Sequence, residues 1–511
     1  MLLIQIDGLA ASRLVRAMSG GVMPAMACFC LDRADSIAHV TMVPSSTPAF
    51  QSTLLYGQQQ IVHGYSWFDR SHGIIRRFDV PEDISHVERQ LQRAARRPPL
   101  LAIAGTVSYL AIFIGGAGRA LLNIARGLGP SHWWRASRLG AGALKALLAI
   151  PSEVARAGGD MIRFVRSSTS RANEWNWLAM RVLHASFLEE LSIASAVADL
   201  RSHAPIVYLD FLAYDEASHR RGPEHPVAIE QLRRIDRRIG RLIESGTREG
   251  YDVLVFSDHG QAVATPFFLV EGKCLSALVL EACTDRPGGA ALADLAHQLD
   301  ASRNRAARVR KWPGAVRRPL EWRAREQSRR IAARLEKEHG APADEVAVVT
   351  AGSVAHIYFG CATSGMTLEK IQQRFPRLLP ALAGSRGVGM VVARQSELGP
   401  IIVTRNRRML LADGSALASA WPLMGESSNS EVVCRLVSSV IAMPSAGDLV
   451  VYGKTDSRGT VTFDWEMGTH GGLHPDELDV FLVGSDGVEL PNGKGLDPAV
   501  LNSLLRKRYA A

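Results

Sequence analysis

Cysteine is scarce in this sequence, and no cysteine cluster is present. The six cysteines of the 511-residue chain stand at positions 28, 30, 274, 283, 361 and 434, without a CxxC pair. This pattern argues against a cysteine-bound zinc site and favours buried, reduced thiols. A secretory leader is not expected either, because Met1 runs directly into an apolar segment, residues 2–6, that ends at the candidate ligand Asp7. We therefore expect a cytoplasmic location.

Acidic residues are outnumbered by basic ones. The formal net charge is +9, which favours anionic partners such as phosphorylated small molecules, membrane surfaces or nucleic acid. Arginine is crowded between Arg303 and Arg330, where Trp312 and Trp322 are the only aromatic residues. Without a stacking platform, nucleic acid is disfavoured as a partner. The segment is expected to be a solvated helical face, with anionic lipid headgroups as the alternative ligand.

Short apolar runs predict the fold class. They occur at residues 2–6, 206–212, 253–256 and 449–452, and helical stretches separate them. Such runs are typical of an α/β protein whose mostly parallel sheet is covered by helices on both faces. Ligands bind beyond the carboxyl ends of the strands in such sheets. Asp7, Asp215 and Asp258 follow three of the runs and are therefore expected on one rim.

Residues 96–170 have the composition of an apolar or amphipathic helical insertion. Residues 100–118 carry no charge, and their number approaches the ~20 that span a bilayer. A second apolar stretch, residues 139–151, is shorter and contains Lys145. Candidate site residues lie before and after the insertion, so a single membrane crossing is excluded. A helical hairpin, an interfacial segment in contact with the membrane, or a buried pair of helices is expected.

Carboxylates, imidazoles and one hydroxyl carry the candidate chemistry. Thr47 precedes Pro48, as at the start of a helix, where free N–H groups and the helix dipole favour an attacking alkoxide and a phosphate oxygen. Asp215 and His219 are four residues apart, which places them on one face of a helical turn. Asp258 and His259 are adjacent, and His470 lies in a glycine-rich segment. These donors suit two divalent ions, Zn²⁺ first and Mn²⁺ as the alternative.

These motifs resemble the type I phosphodiesterase/nucleotide pyrophosphatase family of the alkaline phosphatase superfamily. The resemblance covers most of the chain outside the insertion. It is carried by the nucleophile segment PSSTPAFQSTLLYG, by the glycines after the metal-binding motifs, and by segments 44–57, 63–69, 215–223, 257–260 and 468–471. It implies an alkaline-phosphatase-like α/β fold.

The resemblance also implies a role for each residue. One metal would be held by Asp7, Thr47, Asp258 and His259. The second would be held by Asp215, His219 and His470. Thr47 would attack phosphorus to give a phosphothreonine, which water then hydrolyses. Two metals of this kind can stabilise both the attacking and the leaving oxygen.

Two positions depart from the family pattern. Phe50 stands where the diesterases carry an asparagine that helps to hold the phosphate, and the adjacent Gln51 is the candidate substitute. His474 follows His470 in the same segment and is the second candidate substrate-binding residue. His356 is expected to be a packed histidine. The substrate is accordingly expected to be a phosphorylated small molecule or a lipid-linked phosphate ester.

Several alternatives remain open at the sequence level. A phosphomonoesterase or a sulfatase-like hydrolase would share the metal site, although a sulfatase nucleophile motif is absent at Thr47. A membrane-associated scaffold without activity is the alternative from another class. The expected division of the chain is a catalytic α/β domain from residues 1–95, 171–264 and 446–511, the insertion at 96–170, and a cap or accessory region at 265–445.

Overall fold

The computed structural model describes residues 1–31, 39–40, 43–57, 61–121, 123, 188–284, 288–312, 314–360, 365–412, 414–421, 430–486, 488, 490 and 494–509. The strands are β1 (Leu2–Ile6), β2 (His39–Val40), β3 (Ser66–Asp69), β4 (Ile74–Arg77), β5 (Val107–Tyr109), β6 (Arg119–Leu121), β7 (Val207–Phe211), β8 (Val253–Phe256), β9 (Ala262–Pro266), β10 (Val346–Ala351), β11 (Val354–Phe359), β12 (Val388–Arg394), β13 (Pro400–Val403), β14 (Arg408–Leu410), β15 (Leu449–Gly453), β16 (Thr455–Asp456), β17 (Gly459–Thr462), β18 (Gly468–Thr469), β19 (Leu482–Gly484) and β20 (Lys494–Leu496). The helices are α1 (Ala11–Ser19), α2 (Pro24–Cys30), α3 (Thr47–Tyr56), α4 (Pro81–Ala94), α5 (Glu189–Arg201), α6 (Ala213–Arg221), α7 (Pro226–Arg248), α8 (Phe267–Glu271), α9 (Leu275–Ala282), α10 (Gly289–Val309), α11 (Gly314–His339), α12 (Leu368–Arg374), α13 (Leu378–Gly384), α14 (Gly414–Ala420), α15 (Ser430–Ala442), α16 (Pro475–Leu478) and α17 (Pro498–Tyr509).

A mostly parallel six-stranded sheet forms the centre of the fold, as the apolar runs predicted. Its order is β19-β8-β1-β7-β5-β6. Strand β1 pairs in parallel with β7 and β8, so that Leu2 stands opposite both Val207 and Val253. Only the edge strand β19 runs antiparallel to its neighbour. The central strands are mostly apolar because helices cover both of their faces.

Alternate residues of β1 belong to the two cores on either side of this sheet. Leu2, Ile4 and Ile6 pack against residues of α1, α2, α5 and α7. Leu3 packs on the opposite face with residues of α3, α4 and α17. The two-residue period of a strand thus accounts for the two helical layers. Helix α3, which begins at Thr47, lies in the second of these layers.

The first part of the expected helical insertion is not helical. Residues 100–121 form turns and the strands β5 and β6, and much of the segment is buried in the core against α3 and α4. Gly105, Gly115 and Gly116 have φ angles of 85°, 63° and 81°, which an α-helix cannot accommodate. Residues 100–118 are uncharged because much of this stretch lies in the hydrophobic core. Residues 124–187, with the second apolar stretch, lie outside the described residues. Among the residues described, no helix is both long and apolar enough to cross a membrane.

A second six-stranded sheet is built mainly from the later part of the chain. Its order is β10-β11-β15-β12-β13-β14, and every neighbouring pair is antiparallel. The run at residues 449–452, predicted to join the parallel sheet, forms β15 in the middle of this second sheet. Its apolar character reflects burial on both faces, which does not distinguish parallel from antiparallel pairing. Strand β15 therefore connects the region before residue 446 to the C-terminal part.

A small third sheet brings distant segments to the rim of the central sheet. Strand β18 pairs with β9, placing Gly468 opposite Val263 and Thr469 opposite Ala262. Strand β9 follows the loop with Asp258 and His259, and His470 follows β18. This pairing therefore carries His470 to the carboxyl end of β8.

Candidate metal centre and active site

Three predicted ligands meet at the carboxyl ends of β1 and β8. His259 Nε2 lies 3.3 Å from Asp7 Oδ1 and 3.5 Å from Asp258 Oδ2. All three side chains are buried, and one ligand atom from each lies within 4.8 Å of the others. They come together because β1 and β8 are parallel neighbours that end at the same edge.

Thr47 stands against this group as the first residue of α3. Its Oγ1 lies 3.1 Å from His259 Nε2 and 3.3 Å from Asp7 Oδ1. Pro48 occupies the first turn, where no N–H partner is needed. The predicted helix start is thereby confirmed, and the hydroxyl lies on the rim of the sheet.

Asp215 and His219 lie on one face of α6, as their spacing predicted. His219 Nε2 is 3.3 Å from Asp215 Oδ2. Asp215 approaches the end of β1 closely, because Gly8 has no side chain there. A Cβ atom on Gly8 would stand 2.5 Å from Asp215 Oδ1, and its φ of 75° also favours glycine.

His470 joins the two halves of the site. Its ring stacks on that of His259 with centroids 3.9 Å apart, and the centroid of the His219 ring is 4.8 Å away. Ligand atoms of Asp215, His259 and His470 lie within 4.8 Å of one another. His259 thus belongs to both compact ligand groups, whereas the resemblance gave it to one metal and His219 to the other.

Each imidazole is oriented by a hydrogen bond from its Nδ1. His259 Nδ1 is 3.0 Å from Gly260 O, His470 Nδ1 is 2.7 Å from Ser45 O, and His219 Nδ1 is 3.0 Å from Gly468 O. A carbonyl oxygen only accepts, so Nδ1 carries the hydrogen in all three rings. Nε2 is then the atom that can coordinate a metal, as in metal sites where the other ring nitrogen of each histidine donates a hydrogen bond.

Burial and neighbouring charges shift the pKa values of the residues in the site. Burial, and then the charges of Asp258 and Asp215, hold the pKa of Asp7 well above its ordinary value. Burial, and then the charge of Asp215, raise the pKa of Asp258 to about 7. Burial lowers the pKa of His259 to about 4, and burial with the neighbouring imidazoles lowers that of His470 to about 3. Buried carboxylates beside neutral imidazoles are a donor set that a divalent ion would stabilise.

The pKa shifts of Asp215 and His219 have the opposite direction, because this carboxylate and this imidazole favour each other's charged form. Burial works against the charged forms, but the neighbouring histidines, His219 first, hold the pKa of Asp215 below its ordinary range. Burial likewise opposes the charge on His219, but Asp215 and Glu466 raise its pKa well above the ordinary value. A cation at His219 Nε2 would replace the proton that faces Asp215.

One buried atom supports the fit to a metal independently. Asp258 Oδ2 is buried and has no hydrogen-bond partner, although an uncompensated buried carboxylate oxygen is costly. It lies 3.5 Å from His259 Nε2, whose ring hydrogen is on the other nitrogen. Oxygen and nitrogen lone pairs that converge in this way fit a divalent cation.

The two predicted substrate-binding residues make hydrogen bonds with groups other than Thr47, and their role in substrate binding stays a prediction. Gln51 is fully buried; its Nε2 donates to Asp210 Oδ2 at 2.9 Å and its Oε1 accepts from Ile112 N at 2.9 Å. His474 caps the short helix α16 by accepting from Asp476 N at 3.0 Å. Phe50 stacks on Phe256 in the core. These contacts give Gln51 and His474 structural roles.

His356 is a buried histidine with both ring nitrogens engaged, as expected. Its Nε2 is 3.0 Å from His63 O, and its Nδ1 accepts from Gly447 N at 3.1 Å.

Two residues that the sequence motifs do not identify support the ligands. Glu466 Oε2 lies 2.8 Å from His219 Nδ1, and Thr462 donates to its other oxygen at 3.0 Å. Gln261 donates from Nε2 to the side chain and the main-chain oxygen of Asp215. Both lie within four residues of a predicted ligand in sequence. The pairing of β9 with β18 explains why they also lie beside Asp215 and His219 in the structure.

Comparison with known proteins gives the family. The model of the type I phosphodiesterase/nucleotide pyrophosphatase family matches residues 1–350. The chain belongs to this family. It is a hydrolase of phosphate esters of the phosphodiesterase/pyrophosphatase type. The resemblance inferred from the motifs is confirmed.

Solved structures that are similar to the chain include the following two. Phosphonoacetate hydrolase from Sinorhizobium meliloti is 15% identical, with 100% of this chain and 95% of that chain covered and a TM-score of 0.49. Murine ectonucleotide pyrophosphatase/phosphodiesterase 5 is 11% identical, with 100% and 95% covered and a TM-score of 0.48. No curated protein matches this type I phosphodiesterase in sequence.

Proposed function

We propose that this type I phosphodiesterase hydrolyses phosphodiesters with Thr47 as the nucleophile and two divalent cations, most suitably Zn²⁺, as cofactors. The observation that carries the proposal is the convergence of seven side chains on one rim: Asp7, Thr47, Asp215, His219, Asp258, His259 and His470. Carboxylate and imidazole donors of this kind suit zinc, with manganese as the alternative.

The ligand groups suggest how the cations would be held. Asp7, Asp258 and His259 form the group beside Thr47, and Asp215 and His470 form the second group, to which His259 also belongs. His219 would complete the second group through its contact with Asp215. Bound divalent cations would supply charge stabilisation for the attacking and leaving oxygens of an in-line displacement. The neutral imidazoles of His259 and His470 and their Nδ1 hydrogen bonds leave their Nε2 atoms available for this purpose, and a cation would replace the proton on His219 Nε2.

Thr47 would form the new bond to phosphorus. Its Oγ1 loses its proton and attacks, the bond from phosphorus to the leaving alkoxide breaks and the alkoxide takes up a proton, and the other ester group stays on the phosphate now bound to Thr47. Asp7 Oδ1 and His259 Nε2 lie within 3.3 Å of the hydroxyl, so a cation held by these atoms would favour loss of the hydroxyl proton. Water then attacks the same phosphorus and restores the hydroxyl. Placement at the first position of α3 fixes this oxygen against the ligand group.

The substrate class rests on the family and on charge. A phosphorylated small molecule or a lipid-linked phosphate ester agrees with the net charge of +9. Phe50 and Gln51 are engaged in the core, so other groups must hold the non-bridging oxygens. The preference for a diester over a monoester therefore has to be measured by comparing the turnover of the two substrates.

The test compares two substitutions that remove a hydroxyl from the same helix. Thr47→Val should lower turnover of bis-p-nitrophenyl phosphate by at least ~10³-fold while the metal content measured by atomic emission stays unchanged. Thr53→Val is the matched control, because Thr53 Oγ1 bonds to Ala49 O within α3. Full activity in Thr47→Val would exclude this nucleophile. Faster turnover of p-nitrophenyl phosphate than of the diester would assign a monoesterase, and wild-type protein without metal or activity would support the scaffold alternative.

A further inference from the structure

Helix α11 exposes an unusual set of apolar side chains. Trp312, just before the helix, is 54% exposed, and Trp322 within it is 65% exposed. Val316 and Leu320, one helical turn apart, are 46% and 39% exposed. Four large apolar side chains within eleven residues of sequence are thus turned to solvent. Isolated exposed apolar residues are common, but several large ones within one short segment favour an interaction surface.

The opposite face of the same helix is already packed. Ala324, Ile331, Ala332 and Leu335 are buried, and Ser328 bonds to Ser302 of α10 at 2.8 Å. Arg317 pairs with Glu321 in the same helix and with Glu82 of α4. Helix α11 is therefore anchored through this face, and the exposed residues are not needed to hold it in place.

Arginines without ion-pair partners surround the exposed apolar residues. Arg318, Arg323 and Arg329 are exposed, and within the part of the chain that the structure describes none has a carboxylate within 4 Å. Arg318, Trp322 and Arg329 follow one another along one side of the helix. We define the Trp–Arg surface as Trp312, Val316, Leu320, Trp322, Arg318, Arg323 and Arg329.

We propose that the Trp–Arg surface docks on an anionic lipid membrane. Indole rings favour the interface between headgroups and acyl chains, and cations beside them attract anionic headgroups. Charge complementarity selects this partner, because Arg318, Arg323 and Arg329 are exposed and, among the described residues, have no carboxylate within 4 Å. Docking of this kind requires no helix that crosses the bilayer.

Vesicle co-sedimentation of the full chain tests the proposal. The protein should bind vesicles of phosphatidylcholine with phosphatidylglycerol, release from them as salt rises, and ignore vesicles of phosphatidylcholine alone. Replacing Arg318, Arg323 and Arg329 by Gln should weaken partitioning by about fivefold for each arginine, the equivalent of ~1 kcal/mol per cation. Trp312→Ala with Trp322→Ala should weaken it by about tenfold.

Matched substitutions elsewhere provide the controls. Arg201, Arg233 and Arg237 are exposed on α5 and α7, and their joint replacement by Gln should leave binding unchanged. Leu398→Ala removes an apolar side chain that is 68% exposed outside the surface and should also have no effect. Unchanged solubility and unfolding midpoints would show that all variants are folded.

Three results would overturn the proposal. They are absence of binding to the anionic vesicles, equal loss in the control variants, and a tryptophan variant that alters only the oligomeric mass, which would assign the surface to a second copy. The proposal does not depend on the hydrolase activity. Turnover of a soluble diester should be the same in all surface variants, so failure of docking and failure of catalysis are separable.

Discussion

His470 Nδ1 donates a 2.7 Å hydrogen bond to the main-chain oxygen of Ser45, two residues before Thr47. The Ser45 hydroxyl accepts in return from Gly471 N at 2.8 Å. The last predicted metal ligand and the candidate nucleophile are therefore held by reciprocal bonds between segments more than four hundred residues apart in sequence. Such bonds fix both the tautomer and the orientation of a coordinating imidazole.

The two histidines of this segment are predicted to differ sharply when replaced. His470→Ala should lower divalent-metal binding by at least ~10-fold and turnover by at least ~100-fold, because it removes Nε2 from the Asp215 group. His474→Ala should keep metal and activity and lose about 1 kcal/mol of stability, because it removes only the cap of α16. Metal titration with a competing chelator and urea unfolding measure these effects. Equal metal loss in both variants would contradict the assignment.

Glu466 is predicted to position His219. Glu466→Ala should weaken divalent-metal affinity by about 10–100-fold, and Glu466→Gln should weaken it less because an amide oxygen still accepts from Nδ1. Asp464→Asn is the control, since Asp464 bonds to Thr350 and to Gly352 N instead of a histidine. Chelator competition provides a readout that is independent of turnover. A Glu466→Ala variant with wild-type affinity would leave the carboxylate without this role.

The central sheet and most of the site could be predicted because their signals are local. Asp7 ends a run of buried apolar residues, and Asp215 and His219 have helical spacing. Parallel strands that end at one edge then bring such residues together. Thr47 before Pro48 likewise marked the start of α3. Here the sequence pattern and the tertiary structure follow the same physical rule.

The errors arose where one composition is compatible with two structures. Residues 100–118 are uncharged, as in a membrane helix, but the glycines at 105, 115 and 116 bend the chain and the segment packs inside the protein. Residues 449–452 are a buried strand in either kind of sheet. Glu466 was missed because its partner, His219, is brought near only by long-range pairing of β9 with β18. Composition does not contain that information.

Gly8 is predicted to be required for the approach of Asp215. Gly8→Ala should place a Cβ atom 2.5 Å from Asp215 Oδ1, displace that ligand and weaken metal binding by at least ~10-fold. Gly73→Ala is a matched control, because Gly73 has a similar φ of 62° with no atom within 4 Å of the added Cβ. Both variants should lose about 1 kcal/mol of stability to backbone strain. Metal affinity should separate them, and equal affinities would show that Asp215 tolerates the shift.

Glu477 is predicted to make stability fall as pH rises. It is fully buried, and burial raises its pKa to about 8 although Gly472 N, Ser353 and Ser45 donate hydrogen bonds to it. The unfolded chain releases this proton near pH 4.5 and the folded chain near pH 8. Between these values the folded state binds more protons, so the free energy of unfolding decreases with rising pH.

Glu477→Gln removes this titration while keeping an oxygen that accepts from Gly472 N. Urea unfolding across the interval from about pH 5 to pH 8, with a chelator present so that metal binding does not contribute, should give a flatter profile for the variant. The difference in the free energy of unfolding between the variant and the wild type should change by roughly 1–3 kcal/mol over the interval. The variant should become more stable relative to the wild type at the alkaline end. Parallel profiles would mean that Glu477 is ionised in the folded protein and that the three hydrogen bonds outweigh its burial.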